Sequence, residues 1–117
     1  MRQTYIVEGE IAGTRRSGGR VRDEIISRLN ALPPNVRLEI DFSRVTVMSG
    51  AFADELAGKL MAERAADPQI VFVIGSERVC EKLARAFERR ATAAWTRLTP
   101  ETQVRLVGAG SQFAAAP

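Results

Sequence analysis

Between Val36 and Phe42 the chain alternates. Val36, Leu38, Ile40 and Phe42 point one way and Arg37, Glu39 and Asp41 the other, the two-residue period of a strand. From Phe52 the period changes. Phe52, Leu56 and Leu60, with Ala53, Ala57 and Met61, form one apolar face at helical spacing. The junction between them, Met48-Ser49-Gly50-Ala51, is small and polar. Backbone N–H groups lack helical partners there. Small side chains also let another molecule approach the backbone closely.

The same reading extends along the chain. Thr4 to Ile11 reads as a first strand, rich in β-branched and aromatic residues. A polar, glycine-rich link follows from Gly13 to Gly19. A first helix then places Val21, Ile25 and Leu29 on one stripe, joined by Ile26, and Pro33-Pro34 stops it. Asp67-Pro68 marks a turn. Gln69 to Ile74 is apolar on both faces, which suits a strand of a parallel sheet covered by helices. Gly75-Ser76 turns into a third helix, capped by Ser76, with Val79, Leu83 and Phe87 on its stripe beside Cys80, Ala84 and Ala86. Trp95 to Leu98 reads as a short strand. Thr99-Pro100-Glu101 predicts a final helix to about Val107, with a β-hairpin turning at Pro100 as the competing reading. Residues 108–117 are expected to lack fixed structure. The alternation predicts a single α/β domain over residues 1–107. Its sheet is small, mixed and mostly parallel, with right-handed crossovers and sites at the carboxyl ends of strands.

Composition narrows the function. The net charge is +3 and the pI about 9.7. All but two of the cations are arginine, the exceptions being Lys59 and Lys82, and acids are interspersed throughout. Without a clustered basic face, nucleic acid is not the expected partner. High arginine and alanine suit a GC-rich bacterial coding sequence. No apolar run approaches the roughly 20 residues that span a bilayer, and no signal pattern opens the chain. The lone Cys80 cannot form an internal disulfide, which suits a reducing cytoplasm. With no histidine in the chain, the usual general base is missing and no zinc set is credible, so no cofactor or metal is expected.

The run DFSRVTVMSGAFADELAGKL resembles the signature of STAS-like domains, especially a bacterial STAS-like family of unknown function. Asp41-Phe42-Ser43 and Phe52-Ala53-Asp54-Glu55-Leu56 carry the likeness. Val7 to Ile11 looks like the strand before the first helix of anti-sigma factor antagonists. The later elements follow the STAS order, with the opening hairpin shortened. The resemblance implies a non-enzymatic regulatory module that binds a GHKL-type ATPase/kinase or an anti-sigma factor. It also implies a serine at the start of the second helix that accepts phosphate, blocking the partner by charge. An ungapped match puts Ala51 at that acceptor position and Ser49 on the preceding aspartate. Ser49 is therefore either a displaced phosphoacceptor or simply the helix cap. The partner-binding residues implied are Met48, Ser49, Gly50, Ala51, Asp54 and Glu55.

Other candidates are weaker. Asp54 and Glu55 suit the first turn of a helix, Glu55 can pair with Lys59 at i,i+4, and adjacent helical residues diverge, so the pair does not read as catalytic. Gly13 to Arg20 lacks the Lys-Ser/Thr ending of a P-loop. Arg15, Arg16, Gly18, Gly19 and Arg20 could still hold a phosphate or nucleotide at a helix N-terminus. Cys80 reads as a core thiol. Trp95 is a core or edge residue, or the anchor of a homo-oligomer.

Overall fold

A computed structural model describes residues 1–9, 12–99 and 103–109. The strands are β1 (Arg2–Ile6), β2 (Arg37–Phe42), β3 (Ile70–Ile74), β4 (Ala93–Leu98) and β5 (Arg105–Gly108). The helices are α1 (Arg15–Ala31), α2 and α3 (Glu77–Arg89). Here α2 is one continuous run: an α-helical start (Gly50–Ala53), a π-helical turn (Asp54–Gly58) and an α-helical end (Lys59–Glu63).

The sheet order follows the sequence, β1-β2-β3-β4-β5. The first four strands are parallel and β5 is antiparallel to β4. Because every parallel step goes the same way, right-handed crossovers put all three helices on one face. The core confirms it. Leu38, Ile40 and Phe42 of β2, and Ile70, Phe72 and Ile74 of β3, join one cluster with Val21, Ile25 and Leu29 of α1, Phe52 and Leu56 of α2, and Leu83 and Phe87 of α3. Phe42 stacks on Phe72 and Phe72 meets Phe87 at a tilt, with ring centroids 5.9 and 5.7 Å apart. Each buried phenylalanine contributes about 1.5–3 kcal/mol.

Covering helices therefore do not explain the two-sided burial of β3. Val71 and Val73 face away from the helices, yet are 1% and 4% exposed. Arg97 on β4 bridges over β3 to Glu39 on β2 at 3.0 Å. Its aliphatic stem supplies cover while its head keeps an ion pair. Arg2 holds the other Glu39 oxygen at 3.3 Å.

Other boundaries move for local reasons. The first strand ends at Ile6, before most of Val7–Ile11; Glu10 and Ile11 lie outside the described residues. At Gly9 the chain turns hard against the β2–α2 loop, where a Cβ would meet the Arg44 carbonyl at 2.6 Å. Helix α1 starts at Arg15, because Thr14 caps it by accepting from the Ser17 N–H at 3.1 Å. Gly18 and Gly19 are therefore helical, not a loop. After β4 the chain returns as β5. The antiparallel pairing of β5 with β4 favours the hairpin reading over the final helix; the turn expected at Pro100 lies outside the described residues. Of the residues 108–117 expected to lack fixed structure, Gly108 belongs to β5 and the Ala109 N–H donates to the Thr92 carbonyl at 2.8 Å, while 110–117 lie outside the described residues.

Gly18 is where α1 touches α2. A Cβ there would lie 3.0 Å from the Phe52 carbonyl oxygen and 3.1 Å from Glu55 Cβ, whereas at Gly19 the nearest neighbours are 3.6 Å away. We expect Gly18→Val to lower the unfolding free energy by roughly 1–3 kcal/mol through overpacking. Gly19→Ala should raise it by about 0.5–1 kcal/mol through helix propensity. Urea titration of both variants checks the opposite signs.

Candidate functional site

Two features that the sequence keeps apart meet in space. α2 lies between α1 and α3 in the helix layer, and Asp54 and Glu55 sit on its outer side. Both are only 7% exposed. Arg90, just past α3, grips Asp54 with a fork, Nε donating to Oδ1 at 2.8 Å and Nη2 to Oδ2 at 2.7 Å. Such bidentate pairs are the stronger kind. Arg15 Nη1 donates to Asp54 Oδ2 at 2.9 Å and to Glu55 Oε1 at 3.1 Å. Arg22 holds Glu55 Oε2 at 2.7 Å and also donates to the Glu55 carbonyl. Lys59 completes the set at 2.9 Å, the expected i,i+4 pair.

The π-helical turn makes this possible. Adjacent residues on an α-helix diverge, which argues against a shared partner for Asp54 and Glu55. In the wider i→i+5 turn both carboxylates reach one guanidinium. Gly58 leaves room: a Cβ there would lie 2.9 Å from Asp54 Oδ1 and 3.4 Å from Arg90 Cγ.

The electrostatics follow from this geometry. The Arg90 fork holds the Asp54 carboxyl well below the usual carboxylate range, with Arg15 adding to it and burial opposing. The Arg22 hydrogen bond, then Lys59 and Arg15, bring Glu55 down to about 2, again against burial. Burial loses because the cover is one side chain thick: Arg15, Lys59, Arg90 and Arg22 are themselves 53%, 39%, 35% and 21% exposed. Asp54 and Glu55 are thus committed internally. The sequence-based expectation that they face a partner is corrected: their charges hold the three helices together. Arg15 is committed with them. No glycine-rich phosphate loop exists, since Gly18 and Gly19 lie in α1, while Arg16 and Arg20 are exposed.

The β2–α2 loop is separate. Ser49 accepts from the Phe52 N–H at 3.0 Å, the cap expected of it. Its own N–H donates to the Ala12 carbonyl at 3.0 Å. Met48 is buried and anchors the loop, Gly50 and Ala51 are half-buried, and Val47 is 74% exposed. Beside the loop, at the carboxyl ends of β2 and β3, lies a recess of ≈ 360 Å³ lined by Ser43, Val45, Thr46, Gly75, Ser76 and Arg78. Val47 and this recess carried no signal in the sequence beyond their place after a strand.

Cys80 is buried, and burial pushes its thiol up, away from the reactive thiolate. The Trp95 indole N–H donates to the Ala66 carbonyl at 3.1 Å, tying β4 to the turn after α2. Among the described residues, no group of three or more His, Cys, Asp or Glu side chains converges to hold a metal. No helix among them is long and apolar enough to cross a membrane.

Asp54→Asn should cost roughly 1.5–3 kcal/mol at neutral pH, the range for hydrogen bonds to charged groups. Glu55 gives a pH signature. Its folded value lies below its ordinary 4.5, so its contribution is complete above that pH and is lost as pH falls towards about 2. Glu55→Gln should therefore flatten the acid decline of the urea midpoint across that window. An unchanged slope would mean Glu55 is not paired in solution.

Residues 17–73 match the profile of a STAS-like domain of unknown function (DUF4325). The match runs from the first turn of α1 into β3 and contains the β2–α2 loop and Asp54, Glu55, Arg22 and Lys59, while Arg15 and Arg90 lie outside it. No curated protein and no solved structure matches the chain. The profile match over residues 17–73, with a five-stranded, mostly parallel sheet under one layer of helices, bears out the STAS-like α/β fold expected from the sequence.

Proposed function

We propose that this domain is a non-enzymatic regulatory module that binds a protein partner through the loop between β2 and α2. One observation carries the reading: Val47 stands 74% exposed at the carboxyl ends of the strands. A lone exposed apolar side chain is ordinary. This one is held out from a pinned loop. Val45 N–H donates to the Phe42 carbonyl at 2.9 Å on one side, and Met48 and the Ser49 cap fix the other. Open α/β sheets use this end for ligands, and a preorganised loop loses little entropy on binding.

The contact surface is Val47, the outer parts of Ser49, Gly50 and Ala51, and the adjoining recess. Asp54 and Glu55 support it from behind. The partner class is a GHKL-type ATPase/kinase or an anti-sigma factor, on the resemblance of the Asp41–Leu56 stretch to STAS-like domains and of Val7–Ile11 to anti-sigma factor antagonists. The mechanism is occupancy: the domain engages its partner's surface and withholds or modulates it, without chemistry of its own. A phosphate on Ser49 would add about two negative charges to this surface. The Arg89 guanidinium lies close by, 4.0 Å from where a Gly50 Cβ would be.

Calorimetric titration against purified GHKL-type ATPases and anti-sigma factors tests the reading. Val47→Asp should weaken binding at least roughly ten-fold, a loss of about 1.4 kcal/mol. Ala62→Asp, exposed near the other end of α2, should leave it unchanged. Equal affinity for wild type and Val47→Asp would remove the loop as the interface.

A further inference from the structure

β1 is an edge of the sheet, paired only with β2. Two hydrogen bonds fix which way its backbone faces. The Arg37 N–H donates to the Met1 carbonyl at 3.2 Å, and the Val7 N–H donates to the Asp41 carbonyl at 2.9 Å. Odd-numbered residues thus turn their backbone groups towards β2. Arg2, Thr4 and Ile6 turn theirs outwards, because the direction alternates along a strand. Among the described residues nothing pairs with that outer edge. The usual guards against pairing are few: β1 contains no proline, and its only charge is Arg2.

The outward set is symmetric about Thr4. A second copy laid antiparallel, Thr4 against Thr4, sets Arg2 against the partner's Ile6 and Ile6 against the partner's Arg2. All of these are pairs in which both N–H···O=C bonds are exchanged, so every outward donor and acceptor is used at once. Threonine opposite threonine is a favourable cross-strand pair. On the open sheet face, Ile6 is 42% exposed and would stand beside the Cβ of the partner's Arg2, whose head keeps its own Glu39. On the helix face, a recess of ≈ 440 Å³ runs beside the strand, lined by Tyr5, Glu24, Ser27, Arg28 and Ala31. In this register the partner's Gln3 stands opposite Tyr5. Glu24 and Arg28 are exposed at the recess, Glu24 accepting from the Tyr5 hydroxyl and Arg28 lying 5.4 Å over its ring. A two-fold axis brings this acid–base pair towards its own reversed copy, which is charge-complementary.

We infer that β1 is a self-pairing edge: two copies of this chain join antiparallel along Arg2–Ile6, with the two-fold axis at Thr4, into one continuous sheet. A second copy fits better than an unrelated strand because the match in register and charge is the chain's own, as a two-fold interface requires.

Sedimentation of the chain from roughly 10 µM to 1 mM spans the range of a small interface and should show a monomer–dimer equilibrium. Ile6→Lys places a cation opposite the partner's Arg2 and should weaken self-association roughly ten-fold over the two symmetric pairs. Ile6→Glu should strengthen it by a similar factor. Within one chain the signs reverse, since Ile6 neighbours Asp41 in register, so an effect on folding cannot imitate this result. Thr4→Pro removes an outward N–H that one chain does not use and should give a monomer with an unchanged circular dichroism spectrum. If that variant does not fold, the Ile6 pair decides. A wild type and Ile6→Glu monomeric throughout, a folded Thr4→Pro that dimerises like wild type, or Lys and Glu variants that shift association the same way would overturn the inference.

Discussion

The structure turns on the insertion of α2 between α1 and α3 over one face of the sheet. A central helix in such a layer has little surface of its own. Its inner side packs on β2 and β3 through Phe52, Leu56 and Met61. Its outer side is closed by arginines from its neighbours. Asp54 and Glu55 would be costly where they lie without those partners, because an unpaired buried carboxylate loses its hydration. With Arg15, Arg22, Lys59 and Arg90 in place, they lock three helices in one register. The glycines fit this arrangement. Gly18 allows α1 to approach, and Gly58 leaves space for the Asp54–Arg90 fork.

That arrangement assigns the surfaces of the domain to different tasks. The helix layer is internally committed, its acids spent on its own arginines. The side of the sheet without helices is closed by Arg97 and Arg2 bridging to Glu39. Two places stay open for contact: the carboxyl end of the strands, where Val47 projects from a pinned loop, and the edge of β1, which is unpaired among the described residues. These lie on different parts of the sheet, so partner binding and self-pairing are compatible. A broader recess of ≈ 790 Å³, lined by residues such as Arg2, Pro34, Arg37 and Pro68, opens at the amino ends of the strands and holds none of the expected binding residues.

Much of the fold was legible from local pattern. The alternation of Val36 to Phe42, the stripes Val21-Ile25-Leu29 and Val79-Leu83-Phe87, and the caps Ser49 and Ser76 each depend on neighbours in sequence, and each is found as read. The DFS and FADEL segments fall within the stretch that matches the STAS-like family. The errors came where one residue type serves two states. Gly18 and Gly19 read as a loop because glycine is permissive, yet the Thr14 cap starts a helix before them and Gly18 serves a close helix contact. Thr99-Pro100-Glu101 carries the residues of a helix start, but Arg105 to Val107, where that helix would run, belong to β5 paired with β4.

By itself, then, the sequence determined the element types, the parallel α/β class and the loop at which to look, because periodicity and capping act within a few residues. It could not say that Asp54 and Glu55 would meet Arg15, Arg22 and Arg90. Those contacts join residues 33 to 40 positions apart, and charge placement along a helix reads the same whether the face is solvated or clamped. Nor could it place the helices on one side of the sheet. A two-sided apolar strand such as β3 suits helices on both faces, and only the crossovers stepping one way, with Arg97 spanning β3, show how the other face is covered. Tertiary structure decided these points because burial and ion pairing depend on which elements become neighbours, and that is settled by the packing of the whole chain.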